Sequence, residues 1–207
     1  AYGNQPAIGQ WNLARLAETL LPLLAPEPEK ALQLATDAID AFPKLFEAAT
    51  TAGLRAKLGL AMEDSGDLAL AQDLLEVMAA NSADFTLAFR RLSEAESSPE
   101  GLDSFRQVFA TTGGIDSWIG RWTMRLSLEV TSPAERRARM RDASPAIIPR
   151  NHAVEAVLEA AVMNDDLAPF RRLHALLAKP YSDHAGADDL AHPPAAPDPG
   201  YRTFCGT

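Results

Sequence analysis

Asn4-Gln5-Pro6-Ala7-Ile8-Gly9-Gln10-Trp11-Asn12-Leu13-Ala14-Arg15-Leu16-Ala17-Glu18 is the stretch around which the chain is organised, and a leucine-rich run to Leu24 follows it. Pro6, near the first helical position, favours a capped first helix as the simplest interpretation. Apolar residues at helical spacing predict a buried stripe, and we expect Trp11 to join it in the core: Leu13, Leu16, Leu20 and Leu24. Polar residues interrupt this pattern and would need hydrogen-bonding partners if buried: Asn4, Gln5, Gln10, Asn12 and Arg15.

The composition indicates a globular protein. The 207 residues are enough for one large helical domain or two small ones, and 47% hydrophobic with 23% charged residues is ordinary for a folded chain. A net charge of −9 and a pI of about 4.9 argue against binding to nucleic acid or to an anionic membrane. The sequence has neither a membrane-spanning apolar run nor a signal peptide at its start. Because it opens with Ala1-Tyr2-Gly3 and no Met, we expect a fragment of a longer protein.

Periodicity and boundary signals predict an all-α fold of about nine or ten helices arranged irregularly. Pro43 is expected to end or kink the second helix, because proline lacks the amide proton of a helix interior. Gly59 is a plausible helix end, and Asp67 is predicted to be an N-cap. The helices around residues 68–78 and 85–92 are predicted to form a hairpin.

The second half of the chain carries clearer start signals. Ser98-Pro99 and Ser132-Pro133-Ala134-Glu135 each mark a helix N-terminus, the latter as a capping box. Asp116 is predicted to cap a helix that buries three residues at a spacing of four: Trp118, Trp122 and Leu126. Residues 144–149 read as an extended segment. We expect a helical domain over residues 1–181 and a flexible, Pro-rich tail over residues 182–207.

Arginine is concentrated between residues 121 and 150, a stretch with seven arginines and only three acidic residues. The arginines are Arg121, Arg125, Arg136, Arg137, Arg139, Arg141 and Arg150. One interpretation is a surface for phosphates or for an acidic partner, since guanidinium groups match both. The other is a helix face whose arginines pair internally with the excess acid of the chain. At the end of the cluster, Asn151 is expected to cap a helix that follows Arg150.

No arrangement of catalytic residues can be read from the sequence. Nucleophile elbows, phosphate-binding loops and kinase signatures are missing, so we expect no complete enzyme within these residues and assign no catalytic, cofactor-binding or metal-binding residue. The single Cys205 excludes an internal disulfide, and at the chain terminus it is either inert or open to oxidation. The four histidines lack the spacing of metal ligands.

The order Asn-Gln-Pro-x-Ile-x-x-Trp-Asn-Leu-x-Arg-Leu-Ala resembles the selenoprotein O family of protein adenylyltransferases. Similar stretches follow in the family's order over nearly the whole chain: Arg55-Ala56-Lys57-Leu58-Gly59-Leu60, Asp84-Phe85-Thr86-Leu87-Ala88-Phe89-Arg90-Arg91-Leu92, Ser144-Pro145-Ala146-Ile147-Ile148-Pro149-Arg150-Asn151-His152, Pro180-Tyr181 and Thr203-Phe204-Cys205-Gly206-Thr207. The chain departs from the family at Leu54, where Met is usual, and at Ser144, where Asn is usual.

The resemblance implies a kinase-like fold that transfers AMP from ATP to Ser, Thr or Tyr hydroxyls of proteins, with Mg²⁺ or Mn²⁺. The family's nucleotide and metal ligands lie upstream of the Asn-Gln-Pro motif, so none is carried over to this chain. It would be the distal part of the large lobe with a helical C-terminal extension, inactive alone. Its expected partners are the missing N-terminal catalytic half and substrate proteins, without nucleic acid or membrane, in a bacterial cytoplasm.

The resemblance also implies roles for particular residues. Five are expected to anchor the missing catalytic half: Asn4, Gln5, Trp11, Asn12 and Arg15. Arg150 and Asn151 belong to a family motif. Cys205 matches a tail cysteine linked to redox control, whose partner thiol would lie upstream. The alternative function is a free-standing helical scaffold that binds a partner through its Arg-rich face.

Overall fold

The computed structural model describes residues 2–96 and 98–194, and these residues form helices without any strand. The all-α prediction is therefore confirmed for this part of the chain. A 3-10 turn at Tyr2–Asn4 precedes ten α-helices: α1 Gln5–Leu24, α2 Pro28–Leu58, α3 Asp67–Ala80, α4 Phe85–Ala95, α5 Pro99–Arg106, α6 Gly113–Leu126, α7 Pro133–Ala143, α8 Asn151–Asn164, α9 Ala168–Leu177 and α10 Asp188–Ala191.

The chain divides into two compact units, residues 1–54 and residues 55–207. The predicted boundary between residues 181 and 182 stays a prediction, because most of the proposed tail, with Cys205, lies outside the described residues. The part of that segment that is described contains α10, where Leu190 is buried.

In the first unit, α2 continues through Pro43, so the predicted helix end at this residue is wrong. Proline cannot donate to the carbonyl four residues earlier, which is that of Ile39. The side chain of Gln10 on α1 donates to this carbonyl instead, at 3.3 Å. The hydrogen bond explains one polar residue of the opening motif and shows how a helix of 31 residues contains a proline.

The second unit is built around the tryptophans of α6. Trp118 and Trp122 are buried and stacked, with ring centroids 5.8 Å apart. Their indole nitrogens donate to the carbonyls of Leu70 at 2.8 Å and Leu58 at 2.9 Å, which ties α6 to α3 and to the end of α2. Leu126 is buried on the same face, so the predicted column is confirmed.

The packing partners of α3 and α4 differ from the prediction. Helix α3 packs mainly against α6, whereas α4 packs against α5 and α7, so the predicted α3–α4 hairpin is wrong. Local signals gave no information on this pairing, because each of these helices carries an apolar face that suits several neighbours. A smaller core joins α8, α9 and α10 through Ala153, Val157, Leu173 and Leu190.

Helix ends follow the sequence signals in part. Ser98 accepts a hydrogen bond from the amide of Gly101, and Ser132 forms the predicted capping box with Glu135. Helix α2 ends before Gly59, whose φ of +78° is favoured only by glycine, as predicted.

Three predicted N-caps are wrong: Asp67 and Asn151 are the first residues of their helices, and Asp116 lies inside the first turn of α6. Acidic side chains are also favourable in the first turn of a helix, which accounts for the positions of Asp67 and Asp116. Asp84 is an N-cap that the sequence reading did not single out, and it accepts from the Leu87 amide at 2.8 Å.

Candidate functional site

Helix α1 has no buried residue, although it carries the leucine-rich stripe. Trp11 is 58% exposed and Leu23 is 81% exposed. The prediction that Trp11 and the leucine stripe lie in the core is therefore wrong. The remaining stripe residues are exposed as well: Leu13, Leu16, Leu20 and Leu24. A helix that is apolar on a face open to water requires a covering surface, because exposed patches of this kind mark contact sites.

The polar residues of the same motif are also exposed: Asn4, Gln5, Asn12 and Arg15. The guanidinium group of Arg15 lies 5.7 Å from the centre of the Trp11 ring and 2.6 Å from the carboxylate of Glu18. Asn4 precedes α1 but its side chain makes no capping hydrogen bond. Gln5, Trp11, Asn12 and Arg15 thus lie on one accessible helix with Asn4 directly before it, and the role of these five residues as a junction stays a prediction.

A groove of about 190 Å³ lies between α1 and α2 within the first unit. Its walls are mainly apolar, from Ala14, Ala17 and Leu21 on α1 and Ile39 on α2 among others. Glu18 is one of two carboxylates that line it. The groove and the exposed leucines form a surface of suitable shape for a helix or a loop of another segment.

The Arg-rich stretch is turned towards acids of its own chain. Six of its seven arginines form ion pairs, which favours the internal-pairing interpretation over a binding face: Arg121 with Asp73, Arg125 with Asp67 and Glu129, Arg136 with Glu96, Arg137 with Glu94, Arg141 with Glu94 and Asp183, and Arg150 with Asp84. Arg139 makes no ion pair within the described residues. The scaffold alternative that relied on this face is not favoured.

A buried ionic network lies where α3 and α6 meet. The side chain of Asp67 is 1% exposed and accepts from Arg125 Nε at 2.8 Å and from the Asp64 amide at 3.0 Å. Arg55 Nε lies 3.4 Å from Asp67 Oδ2 without forming a hydrogen bond. Two guanidinium groups thus surround one carboxylate, and such an arrangement compensates the desolvation of each charge.

Glu129 completes this network from the end of α6. Its carboxylate accepts from the amides of Ala61 at 2.9 Å and Met62 at 3.2 Å and pairs with Arg125 at 2.9 Å. Burial alone would raise the pKa of Glu129, but these hydrogen bonds and the charge of Arg125 outweigh it and leave the pKa below its ordinary value. The hydrogen bond to Asp67, followed by the charges nearby, raises the pKa of Arg125.

Residues 55–60, one of the family-like stretches, contact both α4 and α7 in the second unit. Lys57 donates to the Ala143 carbonyl at 2.6 Å and lies above the rings of two α4 phenylalanines. Burial lowers the pKa of Lys57. A Cβ on Gly59 would come within 2.6 Å of Arg136 Cγ, so glycine allows α7 to approach closely. These contacts indicate structural roles for Lys57 and Gly59, since Lys57 is engaged by groups of its own chain and Gly59 lies against α7.

Arg150 makes a similar tie between distant helices. Its two terminal nitrogens donate to both oxygens of Asp84, at 2.7 and 2.9 Å, and one also donates to the Ala191 carbonyl at 3.1 Å. Burial raises the pKa of Asp84. The hydrogen bonds from Arg150 and from the Leu87 amide lower this pKa by more than burial raises it, so the pKa lies below its usual range. The motif arginine thus links α4, α8 and α10. Asn151 is exposed beside it.

The described residues show no group of three or more His, Cys, Asp or Glu side chains that could hold a metal ion. The helices in residues 2–96 and 98–194 include none that is long and apolar enough to cross a membrane. Sequence reasoning missed Gln10, Asp84 and Glu129 as structural residues. Each has a backbone group or an arginine more than two dozen positions away as a partner, and local patterns carry no signal for such contacts. The N-cap at Asp84 and the pair of Glu129 with Arg125 are the local contacts of these residues.

Comparison with known proteins identifies a family. The family model "Protein adenylyltransferase SelO" matches residues 1–178. The chain is 52% identical over all its 207 residues to "Protein nucleotidyltransferase YdiU" of Bradyrhizobium sp. strain ORS 278, and covers 42% of that protein. It is 50% identical to a protein of the same name from Methylorubrum extorquens, covering 43% of it. It thus spans less than half the length of these relatives, and it belongs to the SelO family of protein adenylyltransferases.

Proposed function

We propose that the chain is the helical C-terminal region of a protein adenylyltransferase, with the nucleotide-binding and catalytic residues on a part of the protein that precedes it. The family match from residue 1 to residue 178 and the coverage of 42% of a relative support this proposal. In the reaction, a Ser, Thr or Tyr hydroxyl oxygen bonds to the α-phosphorus of ATP, its proton passes to a base, and pyrophosphate leaves.

The observation that carries the proposal is the exposed α1. A 20-residue helix without a buried residue, with an apolar groove beside it, has the properties of a surface made to be covered. We propose that the preceding catalytic half covers it and that Trp11 is a central contact. Burial of an exposed tryptophan and leucines stabilises an interface by roughly 1.5–3 kcal/mol for each fully buried side chain.

The proposal places ATP and its metal ion outside the described residues. Their buried carboxylates are engaged by arginines and backbone amides, as for Asp67 and Glu129, and no metal-binding group of three is present among them. We therefore propose that ATP and Mg²⁺ or Mn²⁺ bind to the preceding half. The expected cytoplasmic location also stays a prediction.

The test compares AMP transfer by three samples: the 207-residue chain, the preceding half produced separately, and the two halves co-expressed. The substrate is α-labelled ATP with Mg²⁺ and a casein-like acceptor protein, and the readout is label on protein. We expect transfer only when both halves are present. Transfer by the 207-residue chain alone, or full transfer by the other half alone, would show the proposal to be wrong.

A pair of variants tests the surface itself. Trp11→Ser with Leu16→Ser should weaken association of the halves at least about tenfold. A tenfold loss corresponds to about 1.4 kcal/mol, which the loss of a single buried side chain already reaches. The matched control is Met124→Ser with Val130→Ser, two residues that are also strongly exposed but lie in the second unit. Equal association by both double variants would argue against docking at α1.

A further inference from the structure

The connection between α8 and α9, in the second unit, exposes another apolar surface. Val162 is 78% exposed and Met163 is 73% exposed, and other large apolar side chains accompany them. We refer to the whole set as the apolar tip: Leu158, Val162, Met163, Leu167 and Phe170. An exposed apolar cluster of this kind is uncommon on a surface that only faces water.

The helix geometry groups four of these side chains into two pairs. Leu158 and Val162 are four residues apart on α8 and therefore share a face, while Leu167 and Phe170 are three apart at the start of α9. A short turn joins the two helices, whose shared core uses Val157 and other buried residues instead. The apolar tip is thus additional to the core, and its exposure is not needed for packing α8 against α9.

The charges within the apolar tip have a single sign. Residues 155–170 contain four carboxylates and neither lysine nor arginine: Glu155, Glu159, Asp165 and Asp166. All four are exposed, and none forms an ion pair within the described residues. The next basic residues are Arg171 and Arg172, and the latter pairs with Asp189. Unpaired charges of one sign beside an apolar patch select a partner of the opposite sign.

We propose that the apolar tip is a docking surface for a partner protein segment that presents apolar side chains flanked by lysine or arginine. Charge complementarity favours this occupant over two others. An anionic membrane would be repelled by the four carboxylates. A second copy of this chain, related by two-fold symmetry, would place the same carboxylates against each other. The proposal does not depend on the function proposed above.

The probe is a fluorescent helical peptide of about 16 residues with leucines on one face and lysines beside them, together with a version in which glutamate replaces lysine. Anisotropy titration with the 207-residue chain gives the dissociation constants. We expect the lysine peptide to bind at least about tenfold more tightly than the glutamate peptide, and to weaken as NaCl rises from about 50 to 500 mM.

Surface variants locate the binding. Val162→Ser with Phe170→Ser should reduce affinity for the lysine peptide about tenfold. Glu155→Lys with Glu159→Lys, which leaves two carboxylates beside two lysines, should remove most of the preference for the lysine peptide. Met124→Ser with Val130→Ser, an exposed apolar pair elsewhere in the second unit, should leave binding unchanged. All substituted side chains are exposed, but Phe170 also stacks on His174. Thermal unfolding of each variant beside the parent chain therefore separates a loss of binding from a loss of stability.

Several outcomes would overturn the proposal. One is equal loss of binding in the Met124/Val130 variant, which would indicate non-specific attraction to an acidic protein. Another is binding to phosphatidylserine vesicles, or a dimer in sedimentation, that Val162→Ser with Phe170→Ser abolishes. A third is failure of the lysine peptide to bind when the preceding half is present, since that half would then occupy the apolar tip.

Discussion

The buried pair between Asp67 and Arg125 can be tested against a matched exposed pair on the same two helices. Asp67 and Asp73 both lie on α3, and each pairs with an arginine of α6. The Asp67 and Arg125 side chains are 1% and 11% exposed, whereas Asp73 and Arg121 are 39% and 52% exposed. The residue types and the helices are the same, so the two pairs differ in burial and in the further partners that burial brings to Asp67, the Asp64 amide and Arg55.

The substitution Asp67→Asn removes the charge and keeps the shape. It leaves Arg125 and Arg55 largely buried without their shared carboxylate, and breaking a buried pair from one side costs about 3–5 kcal/mol. Loss of an exposed pair is worth about 0–1 kcal/mol. We therefore expect Asp67→Asn to lower the free energy of unfolding by about 3 kcal/mol, and Asp73→Asn by less than about 1 kcal/mol.

The assay is urea unfolding of the 207-residue chain, followed by tryptophan fluorescence in a Trp11→Phe background. Only Trp118 and Trp122 then report, and both lie in the second unit beside α3. Replacing both Arg125 by Met and Glu129 by Gln in the Asp67→Asn variant should recover part of the loss, because Arg125 pairs with both carboxylates and its removal alone would leave Glu129 buried without its arginine. If Asp67→Asn proves no more destabilising than Asp73→Asn, the role assigned to burial is wrong.

Three further predictions concern single positions. Gly59→Ala should destabilise the chain by about 2 kcal/mol or more in urea unfolding, because of its positive φ and a close contact, whereas Gly120→Ala, in an open helical position, should stabilise it by up to about 1 kcal/mol. Gln10→Ala should speed hydrogen exchange in α2 by an amount that corresponds to about 1 kcal/mol in the free energy of opening. In a Pro43→Ala background this effect should vanish, because the amide of Ala at position 43 can donate to the Ile39 carbonyl. An unchanged effect there would contradict the assignment. Because the pKa of Glu129 lies below its ordinary 4.5, the carboxylate contributes to stability above that pH, and this contribution is lost as the pH falls through the folded pKa. Glu129→Gln should therefore flatten the acid side of the curve of unfolding free energy against pH. An unaltered slope would contradict this.

Structural features that depend on neighbouring residues could be predicted from the sequence, whereas features that depend on residues far apart in the chain could not. Ser98, the Ser132–Glu135 capping box and Gly59 were identified correctly, because a cap depends on residues within three or four positions. The burial of Trp118 and Trp122 on one face of α6 was also predicted correctly, because residues four apart on a helix share a face. Pro43 was misjudged because the donor that replaces its missing amide, Gln10, belongs to another helix.

The family resemblance was confirmed, whereas the site residues inferred from it remain predictions. Asn4, Gln5, Trp11, Asn12 and Arg15 are exposed as a junction requires, but exposure alone does not identify what covers them. For Arg150, the structure shows a bidentate link to Asp84. Cys205 lies outside the described residues, so its redox role is untested.

The sequence by itself determined the helical class, several helix boundaries and the family, since these depend on periodicity, capping and ordered motifs that are local in the chain. Only the tertiary structure decided which charges are buried and paired. Asp67 and Asp73 are equivalent in sequence as acids on one helix, yet one is enclosed by two arginines and the other faces water. That difference comes from how α6 lies on α3, because the desolvation of a charge depends on all the atoms around it rather than on its neighbours along the chain.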